Sequence, residues 1–202
     1  MQGLDMKNKK IIGITGGVGA GKSSVLAILK NRFGARVILA DLVAHDLMEP
    51  GTEGLSKVVE ALGDTFIRDD GTVDRKALAD LIFHNAEALR MMNSIIHPLV
   101  WSWIEQEARA CEEPFVIVEA AVFDTAPKGL FDEIWYVYAT EENRIERLMA
   151  SRSYTREKCE SIMKKQDSDH EFRKRCSFVI DNNGSEEETE KQLEEKLGHE
   201  IC

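Results

Sequence analysis

The chain has 202 residues, the length of one globular domain that can carry subdomain insertions. Hydrophobic residues make up 43% and charged residues 31%, as in ordinary soluble enzymes, so folding should need no disulfide or structural metal. The net charge of −10 argues against a general nucleic-acid-binding protein. No apolar run has the length of a membrane span, and the polar first ten residues do not resemble a signal peptide. We therefore expect a cytoplasmic protein.

Cysteine usage agrees with that location. No two cysteines have Cys-x-x-Cys spacing, and none has the Cys/His spacing of a zinc site. We expect free thiols in a reducing compartment. The cysteines are Cys111, Cys159, Cys176 and Cys202.

A glycine-rich loop lies between the first predicted strand and the first predicted helix. The strand is the apolar run at 11–15, and the helix runs from about Gly21 to Phe33, where Gly34 is a natural C′ residue. Strand, glycine loop and helix form the context that a P-loop requires. The N–H groups of such a loop form a concave nest for anions, to which the positive end of the helix adds. The sequence therefore predicts a site for a nucleoside triphosphate with Mg²⁺.

The residue types in this loop suit that ligand. Lys22 can reach the β- and γ-phosphates, and the Ser23 hydroxyl can bind Mg²⁺. Glycines allow backbone angles that a Cβ forbids, and they let a phosphate approach closely. The complete motif disfavours the alternative of a glycine turn that binds nothing. The predicted nucleotide-binding residues are Gly16, Gly17, Val18, Gly19, Ala20, Gly21, Lys22, Ser23 and Ser24.

A carboxylate follows the second predicted strand. This strand spans about 35–40 and ends at Asp41. Ligands bind at the carboxyl ends of strands in open α/β sheets, so Asp41 is expected beside the P-loop if the two strands are parallel. The alternative is that Asp41 caps the helix predicted at 42–48. Both roles are compatible, and position and charge favour the functional one.

The segment 42–112 has helical periodicity and no strand pattern. Helices are predicted at 55–62, after Asp74, at 86–96 and at 99–111. His97-Pro98 should separate the last two, because a residue before proline disfavours the α region. We expect this segment to be an insertion or helical cap on an α/β core.

Strands return in the second half of the chain. Apolar runs at 115–118, 134–138 and 178–180 predict them, and the first two runs suit strands buried on both faces. Helices are predicted at 141–149, from 156 to about 166, and at 185–197. Strands that alternate with helices indicate a parallel sheet.

One part of this acidic chain is basic. Ten Lys and Arg residues lie from Arg144 to Arg175, together with six Asp and Glu residues. An anionic ligand needs such a local excess of positive charge. About half of these charges are expected only to form a solvated helix face.

Together these residues resemble the dephospho-CoA kinase family over about 11–197. The P-loop is shared with many kinases, so the ordered blocks that follow it are more specific. Gln166 also matches the family. The blocks are Ala40-Asp41-x-x-Ala44-His45, Ile96-His97-Pro98, Ile145-Glu146-Arg147-Leu148 and Val179-Ile180-Asp181-Asn182.

The resemblance implies a P-loop three-layer α/β/α fold with a five-stranded parallel sheet. Residues 8–41, 113–142 and 173–202 would form the nucleotide-binding core, 42–112 a helical acceptor domain and 143–172 a helical lid. It implies transfer of the γ-phosphoryl group of ATP to the ribose 3′-hydroxyl of dephospho-CoA, the final step of coenzyme A biosynthesis, with Mg²⁺. The implied partners are these small-molecule substrates, with no nucleic acid and no membrane. The oligomeric state is left open.

The resemblance also assigns residue roles. Lys22 and the loop N–H groups would hold the phosphates, and Asp41 would orient and deprotonate the acceptor hydroxyl. Arg147 would close over the transferring group, and Asn182 would join the nucleotide-binding residues. The family usually has a second lid arginine four residues after Arg147, where this chain has Ser151. Either Arg152 takes this role after a one-residue shift, or another residue, with Arg144 as a candidate, fills it.

Two other classes share a P-loop. A kinase of a nucleoside monophosphate or of shikimate would have the same core, and the helical insertion should separate it from a kinase that must hold a long pantetheine arm. A non-catalytic nucleotide switch normally has an Asn-Lys-x-Asp motif, and this sequence has none.

Overall fold

The computed structural model describes residues 9–198. Residues 1–8, on which the signal-peptide expectation depends, and Cys202 lie outside the described residues. The chain divides into two compact units. The first comprises the described parts of Met1–Ile38, Cys111–Phe123 and Gly129–Cys202, and the second comprises Leu39–Ala110 and Asp124–Lys128.

The first unit is built on a five-stranded parallel sheet, which confirms the sheet predicted from the sequence. Its strands are β1 (Lys10–Thr15), β2 (Arg36–Leu39), β3 (Phe115–Glu119), β4 (Glu133–Tyr138) and β5 (Phe178–Asp181). The strand order is β2-β3-β1-β4-β5. β1 pairs with β3 on one side and with β4 on the other. The P-loop therefore follows the central strand, whose Ile12 and Ile14 are fully buried.

Residues 9–198 form nine helices. None of them is long and apolar enough to cross a membrane. The predicted end of the first helix is confirmed, because Gly34 has the left-handed φ of 62°. The helices are α1 (Lys22–Phe33), α2 (Ala40–Asp46), α3 (Glu53–Leu62), α4 (Arg75–His84), α5 (Ala86–Ala110), α6 (Glu141–Arg152), α7 (Arg156–Met163), α8 (Asp169–Arg175) and α9 (Glu186–Leu197).

α8 was not predicted from the sequence. The Ser168 hydroxyl accepts a hydrogen bond from the Glu171 N–H, and the Glu171 carboxylate accepts one from the Ser168 N–H. This capping box satisfies two N–H groups that the start of a helix leaves unpaired. The Ser-x-x-Glu spacing that forms it is visible in the sequence, so this start signal was overlooked.

α5 corrects the prediction of two helices separated at His97-Pro98. It continues through Pro98 over 25 residues. Proline in a helix interior removes a hydrogen bond and costs about 3 kcal/mol. One face of α5 buries Ile96, Val100 and Ile104, and α2, α3 and α4 pack on this helix. The free energy gained by burying these apolar side chains outweighs the cost of the proline, so Pro98 does not end the helix.

Glu133 links three side chains at the start of β4. Its carboxylate accepts hydrogen bonds from the Trp135 indole at 2.7 Å and the Lys196 ammonium at 3.2 Å, and it lies 2.7 Å from Lys10 Nζ. Burial would raise the pKa of Glu133, but the hydrogen bonds from Lys10, Trp135 and Lys196 outweigh burial and hold the pKa at about 2. The folded protein therefore stabilises the ionised carboxylate.

Glu133→Gln should lower the free energy of unfolding at pH 7 by about 1–3 kcal/mol, because hydrogen bonds to a charged group are lost. The folded-state pKa lies below the ordinary value of 4.5, so this stability is complete above about pH 4.5 and is lost as the pH falls towards 2. Urea unfolding of both proteins at pH 7, 4 and 3 measures the difference. The matched control is Glu142→Gln, which removes an exposed ion pair with Arg156 and should change stability much less. Equal unfolding free energies for wild type and Glu133→Gln at pH 7 would contradict a stabilising role for the ionised Glu133 carboxylate.

Candidate active site

The backbone of the loop between β1 and α1 requires glycine at two positions. Gly19 and Gly21 have left-handed φ angles of 79° and 89°, which side chains other than hydrogen disfavour. A Cβ at Gly19 would lie 2.7 Å from the carbonyl oxygen of Arg144. A Cβ at Gly21 would overlap the side-chain amide of Asn182. Both conformation and space therefore exclude side chains at positions 19 and 21.

The loop leaves a set of donors for an anion. The Ala20 N–H bonds to the Gly17 carbonyl at 3.1 Å, and the Val18 N–H bonds to Gln166 Oε1 at 3.0 Å. Four further N–H groups have no acceptor within residues 9–198, and they lie where α1 begins. Unpaired N–H groups at a helix start, together with the helix dipole, form an anion-binding nest. These four belong to Gly19, Gly21, Lys22 and Ser23.

Lys22 lies between the loop and a carboxylate. Its Nζ donates a hydrogen bond to the Gly16 carbonyl at 2.8 Å and lies 3.4 Å from Glu119 Oε1. Glu119 ends β3, the strand beside β1, so the carboxyl ends of two neighbouring strands meet here. The sequence predicted a strand at 115–118 but no role for Glu119, the residue that follows this run. An acid directly after a buried apolar run was the available signal.

The oxygen donors at this edge fit Mg²⁺. Ser23 is exposed at the start of α1, and the Glu119 carboxylate lies beside Lys22. Mg²⁺ takes oxygen ligands, keeps several waters and is commonly bound through one or two protein groups and the substrate phosphates. Within residues 9–198, no group of three or more His, Cys, Asp or Glu side chains is placed to hold a metal. The donor set therefore suits an ion that arrives with a nucleotide.

The structure distinguishes the three candidate arginines of α6. Arg144 Nε donates to the Val18 carbonyl at 2.8 Å, and burial lowers the pKa of Arg144. Arg147 donates to the carbonyls of Ala20 and Asn182, at 3.2 and 2.7 Å. Arg152 is exposed at the end of α6 and has no hydrogen bond or ion pair with any residue from 9 to 198. Arg144 and Arg147 therefore contact the P-loop backbone, and Arg152 does not.

Asn182 supports the loop from the end of β5. Its side chain is buried, with 7% relative exposure. The amide Nδ2 donates to the Ala20 carbonyl at 2.8 Å, and Oδ1 accepts from the Thr189 hydroxyl at 3.0 Å. Both ends of this amide are thus used inside the protein. The predicted nucleotide contact of Asn182 stays a prediction.

Asp41 lies in a different local setting from the one predicted. β2 ends at Leu39 and α2 begins at Ala40, so Asp41 belongs to the first turn of a helix. The residue at the N-cap is Leu39, so the alternative of Asp41 as the cap is wrong. In the sheet, β3 separates β2 from β1, and the carboxylate at the strand next to the P-loop is Glu119. Asp41 is exposed and has no hydrogen bond or ion pair with a described residue.

Comparisons with known proteins identify the family of the chain. The family model for dephospho-CoA kinase matches residues 10–188. The dephospho-CoA kinase of Carboxydothermus hydrogenoformans is 36% identical, with 91% of this chain and 90% of that enzyme covered. The enzyme of Geobacter sulfurreducens is 37% identical, with 92% and 95% covered.

A solved structure with the same fold supports this family. The crystal structure of TT1252 from Thermus thermophilus is 32% identical and has a TM-score of 0.78, with 96% of this chain and 98% of that chain covered. The architecture is the α/β fold of P-loop kinases, as the resemblance implied. The family carries out the final step of coenzyme A biosynthesis with ATP and Mg²⁺. The chain, with its P-loop and its match across 10–188, belongs to the dephospho-CoA kinase family.

Proposed function

We propose that this chain performs the family's phosphoryl transfer with the site built around the β1–α1 loop. The single observation that carries the proposal is the set of four unpaired N–H groups beside Lys22. Such a nest binds the phosphates of ATP, and the reaction then depends on positioning and charge stabilisation. The acceptor is dephospho-CoA, and its ribose 3′-hydroxyl attacks the γ-phosphorus.

Lys22 is assigned to the transferring phosphate. Its ammonium can leave the Gly16 carbonyl and the Glu119 carboxylate for the stronger charge of a β/γ-phosphate pair. Ser23 and Glu119 are the groups that would hold Mg²⁺. When bound, the ion neutralises negative charge on the phosphate oxygens.

Asp41 is assigned to the acceptor. An exposed carboxylate with no partner among residues 9–198 is free to accept the proton of a hydroxyl group. We further propose that 42–112 holds dephospho-CoA, while the core is formed by 8–41, 113–142 and 173–202. The support is that α2, α3 and α4 all pack on one long helix, α5, to form a unit of their own.

The helical segment 143–172 is proposed as the lid. Arg147 uses two donors on backbone carbonyls, which leaves part of its planar fork for the transferring phosphoryl group. The guanidinium of Arg152 has no hydrogen bond or ion pair with any residue from 9 to 198, and we assign it to the nucleotide. Asn182 is proposed to belong to the nucleotide site, because its side chain bonds to the Ala20 carbonyl of the phosphate-binding loop.

The cytoplasm is the proposed location. Cys159 and Cys176 are free thiols, as expected in a reducing compartment. Nucleic acid and membrane are not proposed as partners.

Release of ADP with different acceptors tests the proposed function. The value of kcat/KM with dephospho-CoA should exceed the values with AMP, shikimate and deoxyadenosine by at least about 100-fold, because a site built for polar contacts rejects ligands that lack them. The control reaction contains ATP and no acceptor, and it should release little ADP. Turnover that is equally fast with AMP or shikimate would overturn the assignment of the acceptor.

A further inference from the structure

Val18, in the middle of the P-loop, is held through both of its backbone groups by side chains from distant segments. The N–H donates to Gln166 Oε1 at 3.0 Å. The carbonyl accepts from Arg144 Nε at 2.8 Å. The Val18 side chain packs against a buried cluster formed by Ile145, Leu148 and Cys159. The Val18 N–H is therefore not free to donate to a phosphate, in contrast to the four unpaired N–H groups that follow.

Gln166 joins the two backbone contacts. Its Oε1 also accepts from Arg144 Nη2 at 2.9 Å, so two N–H donors meet on one oxygen. Only the oxygen of a side-chain amide can accept hydrogen bonds, so chemistry fixes which end of Gln166 faces the loop. The Arg144 guanidinium also lies against Gly17, where an added Cβ would overlap it.

Gln166 is itself held by its own segment. Its N–H donates to the Met163 carbonyl, the last residue of α7, at 3.0 Å. Met163 packs against the same buried cluster as Val18. The side chain of Gln166 therefore extends from a fixed turn, and its position relative to the P-loop depends on the packing of α7 against α6.

We propose that Gln166 is a positioning residue for phosphoryl transfer, which orients the Val18 peptide and thereby the phosphate-binding N–H groups that follow it. The inference rests on the proposed function, because it assumes that ATP binds in this nest. Gly19, whose N–H is one of the four unpaired donors, directly follows Val18. A rotation of that peptide changes the direction of the next N–H, and a nest that is already oriented binds and reacts without reorganisation.

The test compares Gln166→Met with Gln166→Glu. Met keeps the length and flexibility of the side chain but has no amide oxygen, whereas Glu keeps an acceptor for both donors. In Gln166→Met, the Val18 amide should exchange with solvent faster in the nucleotide-free protein, and the Kd for ATP should rise about 5- to 50-fold, as expected for a donor left without its partner. KM for dephospho-CoA should stay at the wild-type value. In Gln166→Glu, slow exchange of the Val18 amide should return.

Lys191→Met is the matched control. Lys191 is an exposed residue of α9 whose partner is Glu195, so this variant should keep wild-type exchange at Val18 and a wild-type Kd for ATP. NMR hydrogen exchange and calorimetry without acceptor supply both readouts. These readouts do not depend on dephospho-CoA, so failure of the proposed acceptor is distinguishable from failure of this inference.

Two results would overturn the inference. Unchanged exchange at Val18 in Gln166→Met would show that the hydrogen bond does not hold the peptide. A wild-type or lower Kd for ATP in the same variant would show that the contact does not position the nest or that it competes with the nucleotide.

Discussion

Lys22→Ala is expected to lower kcat by about 10²–10³, the usual cost of one electrostatic contact made in a transition state. Charge accumulates on the transferring phosphoryl group and on the leaving oxygen, and the Lys22 ammonium is placed at the nest that binds them. The alanine variant keeps the backbone donors, so ATP should still bind, though more weakly. Steady-state rates of ADP release with dephospho-CoA measure the effect.

Two controls separate this effect from a loss of folding. Removal of Lys22 leaves Glu119 without its close cation, so thermal unfolding must be measured on the same protein. Lys30→Ala removes an exposed lysine from the last turn of the same helix, α1, and should keep the wild-type kcat. If folded Lys22→Ala turns over at the wild-type rate, Lys22 is not part of the transfer site.

Asp41→Asn is expected to lower kcat by about 10²–10⁴, the range for loss of a general base. The exchange keeps the size of the side chain and removes its charge. ATP affinity should stay within a few-fold of wild type, because the proposed contact is with the acceptor hydroxyl. Both quantities can be measured on one preparation by calorimetry and by ADP release.

The structure makes this test cleaner than the sequence alone allowed. Asp41 is not the N-cap of α2, so no capping hydrogen bond is lost in Asp41→Asn. Only the favourable position of a negative charge in the first helical turn is removed, at a cost of about 0.3–1 kcal/mol. Asp46→Asn at the other end of α2 is the matched control and should reduce kcat far less. A wild-type kcat for Asp41→Asn would show that Asp41 is not the general base, and Glu119 would become the next candidate for that role.

The core was predictable because its signals are local. The P-loop follows a buried apolar strand, and the runs that became β3 and β4 are continuous and rich in β-branched or aromatic residues. Each of these features lies within a few neighbouring residues. They set the strand positions and the place of the phosphate nest without knowledge of the tertiary structure.

The errors arose where tertiary packing decides. Pro98 should break a helix on local grounds, but α5 is held by three packed helices. The end of β2 was placed two residues too late, which moved Asp41 from a strand end to the first turn of α2. Which strand lies beside β1 is a property of the sheet order, so the sequence could not place Glu119 next to Lys22.

The contacts of the P-loop were the least predictable. Val18 and Gln166 are separated by 148 positions, and no periodic pattern connects them. Gln166 was visible only as a residue that matches the family. Its hydrogen bond to the loop depends on how α7 packs on α6, which no local rule describes.

The fate of labelled phosphate tests the central claim most directly. ATP carrying ³²P in the γ-position is incubated with the purified chain, Mg²⁺ and dephospho-CoA, and the product is treated with a nucleotidase specific for ribose 3′-phosphates. The account predicts that label moves to the acceptor at the rate of ADP release, and that the nucleotidase removes all of it. Label that appears in inorganic phosphate before the nucleotidase is added, or that stays on the acceptor after this treatment, would contradict transfer to the 3′-hydroxyl.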